Sequence, residues 1–116
     1  MTGKASRDRL RVAAMIEAAQ NARRDSDGGK ESFDQRGMAQ RAILLDLIHF
    51  TESAERTSPA FKKGNSSIPW QRLSTLRNHG LVHDYAEVDM EDIWAFVHEE
   101  LPRVHRKLDR AKYPDE

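Results

Sequence analysis

Cysteine is absent from this chain, which excludes disulfides, thiolate metal sites and thiol nucleophiles. No apolar run approaches the roughly 20 residues needed to cross a bilayer. The first residues, Met1 to Arg7, lack the apolar core of a secretory signal. These absences together point to the cytoplasm. An excess of one charge is missing too. The chain has 19 Lys and Arg against 19 Asp and Glu, which argues against a protein that coats nucleic acid by bulk electrostatics. Asp27-Gly28-Gly29-Lys30 is too short for a glycine-rich phosphate loop and follows a helical pattern, not a strand. There is no Gly-x-Ser-x-Gly nucleophile elbow, and there is no repeat, low-complexity tract or strand signal.

What is present reads as one helical domain. At 116 residues the chain supports a single modest core, covering 1–116 with the ends 1–6 and 111–116 frayed. Residues 6–26 form a first helix, with Ser6 and Asp8 as cap candidates and Asp27-Gly28-Gly29 as its stop. Ser32 to about Arg56 reads as one long second helix. Ile43, Leu47, Phe50 and Ala54 follow 4-3-4 spacing there, and Leu44, Leu45 and Ile48 fill the other sides, so this helix is expected to be central. Thr57-Ser58-Pro59 breaks it, with a short extra turn near 59–63. Pro69 opens a third helix through Trp70, Leu73 and Leu76 to about Val82. Asp89 caps a fourth helix with the core stripe Ile93, Val97, Leu101, Val104 and Leu108, which Pro102 should kink near Glu99. The expected fold is an all-α four-helix up-and-down bundle with a possible short extra helix. Trp70 and Trp94 are expected as packing anchors, and His49 as a hydrogen-bonded buried or interface histidine.

Charge is unevenly placed around the third helix. Residues 61–82 carry Lys62, Lys63, Arg72 and Arg77 without an acid, and residues 84–100 carry seven acids without a Lys or Arg. Two readings follow: solvated helix faces, or a basic groove with an acidic rim. In the second, Arg77 can grip a phosphate with its planar fork. His83 can give or take a proton near neutral pH. Metal-free RNA cleavage needs two proton-transfer groups and one cation. Arg77 can stabilise the charge growing on the phosphoryl oxygens. One His83 supplies one proton-transfer group. The second comes from a two-fold partner or from His79 in the same chain. His79 and His83 also have metal-ligand spacing, but there is no His-Glu-x-x-His arrangement and Gly80 loosens the helix that would hold the ligands. No metal and no cofactor are therefore assigned.

The ordered landmarks Ile68-Pro69-Trp70, Leu76-Arg77-Asn78, Val82-His83-Asp84-Tyr85, Val88-Asp89 and Glu99-Glu100-Leu101-Pro102 resemble the HEPN superfamily, in its HepT-like toxin branch. The resemblance spans about residues 7–110. It implies an all-α homodimer and a ribonuclease toxin paired with a small (minimal) nucleotidyltransferase antitoxin that transfers AMP to the motif tyrosine. By matching positions it implies catalytic roles for Arg77 and His83, an orienting role for Asn78, and modification of Tyr85. An unperturbed tyrosine is neutral at pH 7 and a poor general base, so regulation suits Tyr85 better than catalysis.

Two departures stand out. Five residues separate Arg77 from His83 where members of the branch commonly have four. One extra residue turns His83 by about 100° on a regular α-helix, which a π-bulge or a break at Gly80 can absorb. Thr51 stands where the branch usually has glycine.

The leading expectation is a metal-independent endoribonuclease toxin acting on RNA. The alternatives are a catalytically weak HEPN module that binds a nucleotidyltransferase partner or nucleotide, and a purely structural helical dimer.

Overall fold

Apolar 4-3-4 spacing winds this chain into helices, and its glycines and prolines decide where each one stops or changes pitch. The computed structural model describes residues 4–35, 37–81 and 85–114. Helix α1 runs over Lys4–Asp25, α2 over Gly29–Asp34, α3 over Met38–Glu55 and α4 over Pro59–Gly64. Helix α5, residues 70–81, is α-helical over Trp70–Thr75 and π-helical over Leu76–Leu81. A 3₁₀ turn, Tyr85–Glu87, precedes helix α6, residues 90–109. Helix α6 is α-helical over Met90–Ala95, π-helical over Phe96–Glu100 and α-helical again over Leu101–Asp109. No strand occurs among the described residues, so the all-α expectation holds. None of the helices is long and apolar enough to cross a membrane.

The long helices α1, α3, α5 and α6 alternate in direction. Asp8, near the start of α1, bonds Ser58, just past the end of α3. At the other end, Lys30 and Phe33 of α2 touch Glu91 and Trp94 near the start of α6. The core lies between the four. Met15, Ile43, Leu47, Phe50, Phe96 and Leu101 are fully buried, and Phe50 meets Phe96 edge-on at 6.4 Å. Each such large side chain contributes about 1.5–3 kcal/mol on leaving water. Trp70 and Trp94 are packing anchors. Trp70 stands edge-on to Phe61 and donates Nε1–H to the Asn65 carbonyl at 3.1 Å. Trp94 lies 5.1 Å from Phe33.

The punctuation follows backbone chemistry. Gly29 has φ +86° and donates its N–H to the Ser26 carbonyl, a left-handed geometry that glycine adopts at little cost. Ser58 accepts from the Phe61 N–H and caps α4, the short extra helix. Asp89 accepts from the Asp92 N–H and caps α6. Pro102 sits in the first turn of the segment after the π turn of α6, where its missing N–H is tolerated. Pitch therefore changes near Glu99, the position expected for a kink.

Three expectations need correction. Asp8 does not cap its own helix. It is buried within α1 and accepts from both the backbone N–H and the hydroxyl of Ser58, at 2.8 and 2.7 Å. The second helix is not continuous from Ser32. Gly37 is extended, and the buried Gln40 donates to the carbonyl of Phe33, so the break between α2 and α3 leaves that group satisfied. The burial expected of His49 fails, since within one chain it is exposed, as is Leu45, because the apolar surround of α3 is incomplete on its outer side; its interface reading is not tested by a single chain. Thr51, the residue in a usual glycine position, is fully buried and returns its hydroxyl proton to the Leu47 carbonyl at 2.9 Å. The group needs no partner outside its own helix.

Candidate active site

The candidate site is built on the second half of α5. Leu73, Leu76 and Leu81 point into the core and fix the rotation of this helix. The first half carries Arg72, whose fork is fully engaged. Nε and Nη2 meet both oxygens of Glu100 at 3.0 and 2.9 Å, and Nη2 also meets Asp92 at 3.0 Å. These bonds hold the guanidinium pKa above its ordinary value, with Glu100 the main cause. Arg72 is thus a strut between α5 and α6. The basic groove, one of the two readings of the charge pattern, loses this cation, which two of the rim acids neutralise.

The chain then enters the π turn Leu76–Leu81, which contains Arg77, Asn78, His79 and Gly80. A π turn holds one residue more per hydrogen-bonded loop than an α turn. The winding therefore widens within the stretch that carries the extra residue between Arg77 and His83. Gly80 leaves room for this without demanding it. Its φ is not positive, and a Cβ built there would meet only Leu76 Cδ1 at 3.5 Å.

Arg77 is half-buried and pairs with no carboxylate among the described residues. Among the described residues its one side-chain hydrogen bond is a long one, from Nη1 to Asn78 Oδ1 at 3.3 Å. Asn78 is held in turn by donating Nδ2–H to Ser74 Oγ at 3.2 Å. The order Ser74–Asn78–Arg77 steadies the guanidinium, and no described carboxylate compensates its charge. His79 is exposed. The other motif histidine, His83, lies outside the described residues, as do Val82 and Asp84. The backbone of Tyr85 opens the 3₁₀ turn before α6. The structure thus joins Arg77 to Asn78 and places His79 on the same turn.

Two groups escaped sequence reasoning. Asp46 on α3 meets Asp25 at the end of α1, and its carboxyl is pushed up to about 7. Burial is the largest cause, followed by the hydrogen bond and charge of Asp25, with Arg24 opposing. No local pattern links residues 21 positions apart on different helices. His98, beside the α6 stripe, lies tilted against Trp94 with ring centres 4.0 Å apart and lines a cavity toward α1. Nothing in a helical period marks that.

Comparison with known proteins gives one family. The model described as Ribonuclease HepT-like matches residues 14–111. A protein of Thermococcus cleftensis named "Probable ribonuclease HepT" is 27% identical over 73 residues, 63% of this chain and 66% of that one. A protein of Caldanaerobacter subterraneus subsp. tengcongensis named "Putative RNase" is 24% identical over 78 residues, 67% of this chain and 69% of that one. A Methanocaldococcus jannaschii protein of the same description is 25% identical over 72 residues, 62% of this chain and 65% of that one. The aligned stretch thus spans about two thirds of these relatives. No solved structure gives a significant match.

Proposed function

Because this chain belongs to the HepT-like ribonuclease family, we propose that it is a metal-independent endoribonuclease, the toxin of a toxin–antitoxin pair, with Arg77 and His83 at its catalytic centre. The observation that carries this reading is the state of Arg77. It is half-buried on a widened turn, lightly tethered by Asn78, and free of any described carboxylate.

In the proposed reaction a base takes the proton of a ribose 2′-OH. The 2′ oxygen bonds to the adjacent phosphorus, the bond from phosphorus to the 5′ oxygen breaks, and an acid protonates that oxygen. Arg77 stabilises the added negative charge on the phosphoryl oxygens. His83 supplies one proton-transfer group, and a second copy of the chain in a homodimer supplies the other. His79, on the same turn, is the intramolecular candidate for that second role. Regulation is assigned to Tyr85, by AMP transfer from a nucleotidyltransferase antitoxin. The added phosphate would compete with RNA for Arg77.

The test is cleavage of RNA by purified protein in excess EDTA, with product analysis. A 2′,3′-cyclic phosphate end, and loss of cleavage in His83→Ala, are the expected results. Full activity in His83→Ala, or full loss with chelator, would reject the mechanism. A second reading, a catalytically weak module that binds a nucleotidyltransferase or nucleotide, is favoured by one observation: the five residues between Arg77 and His83. Protein that leaves RNA uncut under these conditions but binds the nucleotidyltransferase or a nucleotide would select that reading.

A further inference from the structure

A second constellation of arginine and histidine lies away from the motif. The groove between the end of α1 and the middle of α6 forms a cavity of about 430 Å³, whose lining includes Gln20, Arg23, Arg24, Asp27 and His98. That volume falls in the range of roughly 300–1,000 Å³ typical of small-molecule sites. No residue of the π turn Leu76–Leu81 lines it.

Its groups are arranged for a nucleotide. Arg23 is exposed, and its guanidinium pairs with no described residue. Arg24 gives one N–H to Asn21 Oδ1 at 2.6 Å, and its charge acts on Asp46 of α3, so Arg23 is the cation left to the cavity. Both stand in the last turn of α1, where the helix dipole favours cations. Asp27 is the one carboxylate residue among the described lining, which also includes two arginines. His98 is held on two sides. Its Nδ1 lies 2.9 Å from the Trp94 carbonyl oxygen. A carbonyl only accepts, so Nδ1 carries the proton and Nε2 is left for a ligand. The imidazole also lies against the Trp94 ring, which lies against Phe33. This run of three tilted rings holds the imidazole of His98, whose side chain is exposed. Aromatic and histidine planes of this kind take unstacked bases, and a neighbouring arginine takes the phosphate.

We propose that this cavity binds a nucleoside-monophosphate unit, with Arg23 on its phosphate and its base against His98. The proposal rests on the ribonuclease reading in one respect: the unit would belong to the RNA strand, held outside the scissile position. A free nucleotide has the same chemistry, and the two sources are separated by experiment.

The measurement is binding of a labelled 2′-O-methyl oligonucleotide, which cannot be cleaved through its 2′ oxygen, alongside titration with AMP. His98→Ala should weaken the oligonucleotide roughly fivefold or more, as expected for loss of a base stack. Arg23→Ala should weaken it and lower the salt dependence by about 0.7 in log–log slope, one single-strand phosphate contact. Both residues are exposed, so helix content by circular dichroism should be unchanged. Weakening confined to the oligonucleotide identifies a strand subsite. Saturable AMP binding that Arg23→Ala removes identifies a nucleotide site. Unchanged oligonucleotide affinity and salt slope in both variants, with no AMP binding, would overturn the proposal. Failure of the ribonuclease reading looks different: His83 intact, no cleavage, and these binding effects still present.

Discussion

Arg72 and Arg77 lie five residues apart on one helix and meet opposite electrostatic surroundings. Arg72, in the α-helical half, is clamped by Glu100 and Asp92 of α6. Arg77, in the π-helical half, holds among the described residues only the amide of Asn78. Both residues are arginine, so the side chain alone does not decide the role. Winding and neighbours do. The α segment aims Arg72 at the acidic face of α6, where it ties two helices together. The π segment carries Arg77 where no described carboxylate reaches it, the state the proposed phosphate contact requires. The acids that looked like a rim to a basic groove are, at Asp92 and Glu100, half of a strut.

The comparison can be broken most sharply at Arg77. Arg77→Ala should lower RNA cleavage by about 10²–10³-fold, the usual cost of removing a donor that stabilises transition-state charge. Its urea midpoint should stay near that of the parent. A large stability loss with unchanged cleavage would reverse the roles of the two arginines.

Arg72→Ala should act the other way. It leaves Glu100 and Asp92 without their cation and should cost about 1–3 kcal/mol of folding stability, toward the low side because the pair is only partly buried. Arg72→Lys should recover little of this, since one ammonium cannot replace two parallel bonds. Equal urea midpoints for all three proteins would show that the strut carries no load.

A smaller effect belongs to Asp46. Its carboxyl titrates at about 7 when folded and near 4 when unfolded. Between those values the folded state binds the extra proton. The contribution is therefore fully present below about pH 4 and is lost as pH rises through 7. Asp46→Asn keeps a neutral donor beside Asp25 and should flatten this slope. Stability at pH 8 should rise by at most about 1 kcal/mol, because the group is half-exposed and screened. Thermal melts at pH 5 and pH 8 measure it, and a parent whose stability rises between those pH values would contradict the sign.

The mildest change tests the π turn itself. Gly80→Ala adds a methyl into ordinary contact with Leu76. It should stabilise by no more than about 1 kcal/mol, the helix-propensity difference. If cleavage survives, glycine is not what shapes the turn. A loss of tenfold or more with the fold intact would make Gly80 the hinge that absorbs the extra residue.

Much of the architecture was legible because its signals are local. Leu101, Val104 and Leu108 are buried as the α6 stripe requires, and Asp89 and Ser58 cap the helices they precede. Pro102 marked the change of pitch in α6. The break at Gly37 was also in the sequence, but the strong apolar run of α3 drew the helix start back to Ser32. Asp8 shows the limit of local reading. A cap candidate by position, it became a buried acceptor because Ser58, 50 residues away, arrives with two donors.

For the candidate site, sequence alone determined the residue types, their order from Arg77 to Tyr85, and the extra residue that a regular helix would not accommodate without turning His83 aside. It determined an all-α chain without thiol chemistry, because composition and apolar period are properties of the chain itself. Tertiary structure decided which charges are free. Glu100 and Asp92 reach Arg72 only when α6 packs beside α5, and Asp25 meets Asp46 only when α1 lies antiparallel to α3. The same packing brings Arg23 and Arg24 to His98. Electrostatic interaction falls off with distance through space and ignores separation along the chain, so no reading of spacing could have assigned these partners.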